Sequence, residues 1–404
     1  MTERGGVRRA AVAVLLAAVS AQVSVSALQQ GLPALGPILQ STFALDTSAT
    51  GVLLGIGSVG SALAVLGWGR LTDHSTDRGV AVLGLLLTSG ALVIAGLGAW
   101  FGSLPGTIAG LLLAGLAAAA PTVALTKSIA RAFGSTRRMG LAFGIRQAAV
   151  PLGGAAAGII LPALALVIDL AVSLWALAAV LAVAAVAVYR TVPEERREVT
   201  APPLVPTPWR RVMPMLIASS LYTVTQIGIV ALLTLYLVNA RGWSPQAAAA
   251  VFSGLMVSTI FIRVFVGIAA DRWPLRRISL FVTTGVLTAG LLLAAAIANP
   301  APLTVVLLVG AGILGMGWNA LAFTVTVSLV PTERIGTSQG VLNALIFTSW
   351  GLSPMVTAAV VEAFSWSAAW VMLAGFALTG AVVARSTMGP VRLGRGRKTR
   401  PFPA

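Results

Sequence analysis

The sequence predicts an all-α membrane protein of twelve transmembrane helices, arranged as two six-helix bundles related by an internal repeat. Three observations carry this. Hydrophobic residues make up 57% of the chain and charged residues only 9%, whereas a water-facing surface holds about 25% charged residues. The apolar residues fall in runs of the length that a hydrocarbon layer of about 30 Å demands of a helix. Finally, three unrelated local patterns recur at one offset. Gly69-Arg-Leu-Thr-Asp73 returns as Gly267-Ile-Ala-Ala-Asp271-Arg272, 198 residues on. Arg138-Met-Gly140, with Gly144 and Gln147 behind it, returns as Arg334-Ile-Gly336 with Gly340 and Asn343, 196 residues on. Gln29 has its counterpart in Gln226, 197 residues on. A tandem duplication in one orientation accounts for all three.

The spans fall at about 9–36, 48–69, 79–101, 105–130, 139–166 and 170–189 in the first copy. In the second they fall at about 212–239, 245–270, 278–298, 302–329, 337–362 and 366–385. The runs are continuous rather than alternating over about ten residues, so helices are expected and not barrel strands. Residues 1–189 form the first half and 212–385 the second. Between them, 190–211 is polar and carries Pro202, Pro203, Pro206 and Pro208, the composition of an extended linker. Residues 386–404 are a basic tail. Arg4, Arg8 and Arg9 precede an apolar stretch in the manner of a signal peptide. Cleavage there would break the pairing of Gln29 with Gln226, so the first helix is expected to be retained.

Charge sets the topology. Of the 27 Lys and Arg, only Arg241 falls in a segment placed outside, while Arg146 and Arg263 fall within spans. The short loops 131–138 and 272–277 are strongly basic. Both termini are therefore expected in the cytoplasm, in a multi-pass protein of the inner (plasma) membrane. The net charge of +16 is read as topology and contact with anionic lipid, not as nucleic-acid binding. There is no cysteine. No catalytic dyad, metal cluster or nucleotide loop is present, which argues against an enzyme and against a cofactor or metal. The expected partners are a small-molecule substrate and membrane lipids, with the chain as a monomer.

At this point the residues resemble a family. Twelve spans as six plus six, a central linker, and a G-x-x-x-D-R signature after spans 2 and 8 are similar to the major facilitator superfamily, over essentially the whole chain. The second copy fits the family's loop at Gly267, Asp271, Arg272 and Arg276, with Pro274 in place of Gly. The first fits at Gly69, Asp73 and Arg78, while His74, Thr76 and Asp77 depart from it. Pro151-Leu-Gly153-Gly154 only approximates the family's span 5 pattern for exchangers, which leaves direction and coupling open. The resemblance implies that span 2 neighbours span 11 and span 5 neighbours span 8. Asp73 is then expected at the start of span 11, and Asp271 at the start of span 5. There each carboxylate would sit against unpaired helix amides beside Arg334 and Arg138. These contacts would gate the inner side.

All eleven acidic residues, and the one histidine, His74, lie in loops or at helix ends. The usual proton relay of a membrane pump is thus missing, as is the buried acid that attracts a cationic drug. Arg146 in span 5 and Arg263 in span 8 lie inside instead, each about 12 Å from the inner edge. An arginine in mid-helix costs about 2.5–3.5 kcal/mol to insert, so it faces a cavity or a partner. With no acid in the spans, an external anion is the expected partner, gripped by the guanidinium fork. Lys127 is a weaker candidate, near a helix exit. Gln29, Gln226, Tyr222 (one turn before Gln226), Gln147, Asn319 and Asn343 supply neutral groups at depth. The stretch from Arg138 to Gln147, followed by Val150-Pro-Leu-Gly-Gly154, also resembles bacterial permeases of the cyanate and nitrate type. A transporter of a small organic or inorganic anion, working by alternating access, is the resulting expectation. A multidrug or amphipath exporter, and a ligand sensor without turnover, are the alternatives.

Overall fold

The computed structural model describes residues 2–133, 139–194, 206–299, 301–331 and 334–386. Span 1 is Thr2–Gly31, continued by a 3-10 turn Leu32–Leu35 and by Gly36–Thr42. Spans 2 to 6 are Thr47–His74, Asp77–Trp100, Leu104–Phe133, Met139–Val167 and Leu170–Thr191. Span 7 is Trp209–Leu235 with a π-helical end, Tyr236–Ala240, and spans 8 and 9 are Pro245–Arg272 and Arg277–Ile297. Spans 11 and 12 are Ile335–Ala363 and Trp366–Ser386. Span 10 departs from the continuous helix expected over 302–329. It is two pieces, Ala301–Leu314 and Trp318–Leu329, parted by a tight turn in which Gly315, Met316 and Gly317 donate to Ala311, Ile313 and Leu314. Gly315 and Gly317 bracket the break, as expected of residues that weaken helices. Asp73 and His74, expected in a loop, instead form the last turn of span 2. Residues 195–205 of the expected linker and the tail 387–404 lie outside the described residues.

Helix starts follow local chemistry. Asp46, Thr76, Asp169 and Ser244 each accept a backbone N–H one turn into the helix they open, satisfying donors that the first turn leaves free. Pro121, Pro151, Pro162, Pro214 and Pro354 lie inside helices, which membrane helices tolerate because neighbours re-satisfy the freed carbonyls. Where helices touch, the residues are small. A side chain at Gly115 would run into the Gly57 carbonyl, and beside it the Ser61 hydroxyl donates to Gly115 O at 2.8 Å. Lipid is as apolar as leucine, so close backbone approach and interhelical hydrogen bonds hold such seams together.

The first bundle packs span 3 on spans 4 and 6, span 2 on span 4, and span 1 on spans 5 and 6. The second packs span 9 on spans 10 and 12, and span 7 on spans 11 and 12. The bundles meet along span 2 with span 11 and span 5 with span 8, the two seams the resemblance implied. Contacts across them are dense toward the face opposite the termini, called here the far face. There Thr234 donates to Pro33 O at 2.7 Å and Asn239 to Gln40 Oε1 at 2.7 Å. The backbone N–H of Thr47 donates to Glu362 Oε2 at 3.2 Å. Gly51 and Gly55 lie against Pro354, Ala358 and Gly351, and Gly158 against Phe252 and Ser253. Near the other face Gly144, Gln147 and Gly340 are exposed. The bundles are closed over the far face.

Candidate functional site

Arg146 is 6% exposed, among the most buried charges in the chain. Its two terminal nitrogens form a fork on span 4: one donates to Thr126 Oγ1 at 2.9 Å, the other to Thr122 O at 2.9 Å. Thr126 completes the ring by donating its own hydroxyl proton to Thr122 O at 2.6 Å. Pro121, one residue earlier, lies inside this helix. Arg146 Nε has no partner among the described residues. The side chain is thus held on its own bundle by neutral groups, and nothing described cancels its charge.

Arg263 crosses the seam. It donates to Gln147 O at 3.4 Å and lies 3.9 Å from Met316 Sδ, with Nε unpartnered. Both contacts are long, so this guanidinium is poorly satisfied. Met316 belongs to the break in span 10, and Gly317 packs against Ile262 and Val266 of span 8. The break therefore gives Trp318–Leu329 a free N-terminus deep in the bundle, without a side-chain cap.

The internal repeat makes the position more telling. By the repeat offsets, Val65 and Asn343 stand in spans 2 and 11 where Arg263 and Gln147 stand in spans 8 and 5. Val65 sits in an apolar cluster with Ala119 and Phe347, edged by Trp68, Ala344 and Trp350. One seam is cationic and its counterpart greasy, an asymmetry that packing alone does not require.

Other expected residues fall differently. Tyr222 is turned away from the seam: it is 3% exposed, stacks on Phe281 with centroids 4.4 Å apart, and donates to Phe281 O at 3.2 Å. Gln226 is 1% exposed, and its carbonyl accepts from Trp318 Nε1 at 3.1 Å and Asn319 Nδ2 at 3.3 Å. Asn319 also donates to Met316 O at 3.2 Å, bracing the break in span 10. These three pack the second bundle. Tyr222 and Gln226 do share one face, which Trp318 meets edge-on at Tyr222. Gln29 is half-buried with its amide nitrogen unpartnered, Gln147 is exposed, and Asn343 is half-buried.

At the face bearing the termini, Asp73 accepts from Lys127 Nζ at 2.6 Å, joining spans 2 and 4; Lys127 is thereby engaged away from the seam. Arg78 pairs with Glu194 and lies 5.0 Å over the Tyr189 ring. Gly69 and Gly267 face open space, Arg272 is exposed, and Arg334 precedes the first turn of span 11. Arg138 and the Asp271 side chain lie outside the described part of the chain. Sequence reasoning passed over Thr122 and Thr126, which hold Arg146. It also passed over Gln22, Ser26 and Gln30. Their spacing of four residues would have shown a polar stripe on span 1.

Among the described residues eleven helices are long and apolar enough to cross a membrane, and the broken span 10 completes the two bundles, which defines a multi-pass membrane protein. The family model described as Major Facilitator Superfamily matches residues 13–354, and again 215–402. The chain belongs to that superfamily: it is a transporter and not an enzyme. Among curated relatives it is 26% identical, over 388 residues, to "Uncharacterized MFS-type transporter Rv2994" of Mycobacterium tuberculosis (strain ATCC 25618 / H37Rv), covering 94% of this chain and 85% of that one. Among solved structures it resembles a bacterial homolog of the human lysosomal transporter Spinster in an inward-facing, occupied conformation. That match has TM-score 0.74 and 16% identity, covering 93% of this chain and 96% of the other. It also resembles the human organic anion transporter MFSD10 (TETRAN), with TM-score 0.70 and 17% identity, covering 94% and 99%.

Proposed function

We propose that this chain is a secondary active transporter of a small anion, held between the bundles by Arg146 and Arg263 and moved by alternating access. The observation that carries the reading is that two guanidinium groups lie at similar depth with only neutral partners among the described residues. A buried cation without a counterion is costly, and an anionic substrate removes that cost on binding. The asymmetry between the two seams supports putting the charged end of the substrate on the span 5 and span 8 side. A human transporter of similar fold is named for organic anions, which supports the reading. In this reading the linker 190–211 lets the halves rock, and the basic loops face the cytoplasm of a plasma-membrane protein. The protein acts as a monomer.

A thermal-shift screen of the purified protein tests the substrate class, comparing small carboxylates, phosphate and nitrate with lipophilic cations such as tetraphenylphosphonium. Stabilisation by anions that is lost in Arg146→Gln supports the reading. Stabilisation by cations or neutral lipophiles alone overturns it, in favour of an amphipath exporter.

A further inference from the structure

The seam between spans 5 and 8 has two levels. At the lower, Arg263 reaches Gln147 O. Seven residues further along each helix, Met256 of span 8 meets Gly154 of span 5: a side-chain carbon on Gly154 would lie 3.2 Å from Met256 Sδ and 3.0 Å from Gln30 Cβ. Seven residues return a helix to nearly the same face and advance it about 10 Å. The two levels therefore stack along one line.

Gln30, at the upper level, is 1% exposed, and neither Nε2 nor Oε1 has a hydrogen-bond partner among the described residues. Ser253, one turn before Met256, is 3% exposed and its hydroxyl is likewise unpartnered. A buried amide left unmade on both sides is expensive, and such groups are normally satisfied. Here three unsatisfied donor or acceptor sites gather where spans 1, 5 and 8 meet, and the far-face closure covers them. Opening of that face would uncover them in line with the arginines.

We infer that Gln30, with Ser253 one helical turn further toward the far face, is a second recognition point, and that the substrate is an elongated organic anion: a carboxylate or similar head at the arginines and a neutral hydrogen-bonding group about 10 Å away. This rests on the anion reading and narrows it. A bare inorganic anion cannot bridge the two levels, whereas a chain of roughly eight bonds can. Glutamine offers both a donor and an acceptor, so a hydroxyl or a carboxamide fits the distal end.

The test measures Kd by titration calorimetry on the purified full chain, using octanoate and 8-hydroxyoctanoate below their micellar range. In the wild type the hydroxyl is expected to tighten binding about two- to tenfold, the worth of one neutral hydrogen bond. Gln30→Leu is expected to erase that ratio. Gln30→Met, closer in shape, repeats the measurement should the leucine variant fail to fold. Arg146→Gln is expected to weaken both compounds. Equal affinity for the two compounds in the wild type, or a ratio that survives both Gln30 variants while Arg146→Gln still weakens binding, overturns this inference alone. If neither compound binds, or Arg146→Gln weakens neither, the anion reading fails and this inference falls with it.

Discussion

Replacing Arg146 by glutamine removes one buried positive charge and breaks a fork whose two bonds, to Thr126 Oγ1 and Thr122 O, are each 2.9 Å. Thr126 keeps its own bond to Thr122 O, so the fold loses a cation and no neutral group is stranded. The variant is expected to insert and purify like the wild type, since losing the arginine relieves about 2.5–3.5 kcal/mol of insertion cost. Binding is another matter. A hydrogen bond to a charged group is worth about 1.5–3 kcal/mol, which corresponds to a loss of about 10- to 150-fold in anion affinity. Arg146→Lys keeps the charge, but a shorter side chain whose three donors radiate from one nitrogen does not reproduce the planar fork that spans Thr126 Oγ1, Thr122 O and a ligand. It is expected to recover less than half of the lost free energy. Titration calorimetry of the three proteins with a carboxylate that stabilises the wild type reads both effects. Undiminished affinity in Arg146→Gln would refute the assignment of this residue. Full recovery in Arg146→Lys would refute the role given to the fork.

Three further outcomes are expected. The chain has no cysteine, so Gln40→Cys with Asn239→Cys gives one thiol pair on a clean background, where the longer native side chains meet at 2.7 Å; bridging the pair with a short reducible bifunctional thiol crosslinker is expected to stop transport in liposomes and reduction to restore it, and full transport by the bridged protein would exclude rocking of the bundles. Asp73→Asn, which uncouples Lys127 from span 2, is expected to lower transport while anion affinity stays within about twofold; a loss of tenfold or more in affinity would place Asp73 in the binding site. Gly115→Ala pushes a methyl group into the Gly57 carbonyl and is expected to cost about 1–3 kcal/mol by overpacking, seen as a lower melting temperature; an unchanged one would mean that spans 2 and 4 separate without penalty.

The number of spans and the pairing of the halves were legible in the linear chain. Each depends on composition over about 20 residues, or on an offset that survives duplication. Which way a polar side chain turns was not legible in the same way. A soluble helix shows its buried face by contrast with a polar one, but a membrane helix is apolar toward lipid and toward protein alike. Tyr222 and Gln226 were correctly placed on one face, yet only packing turned that face onto Phe281 and Trp318. The repeat drew attention to Gln29 because its mate is Gln226. Gln30, whose mate is Ile227, carried no such mark and proved the more deeply buried. The break in span 10 was likewise hidden, since Gly315 and Gly317 lie in a run apolar enough to read as one helix. The sequence by itself determined a duplicated twelve-span membrane protein with arginines and no acids at mid-span, because insertion into lipid acts on each span separately. Only the tertiary structure decided that Arg146 rests on span 4, that Arg263 bridges the bundles beside a broken helix, and that the facing seam is apolar, because those facts depend on the rotation of helices about their axes, which close packing alone selects.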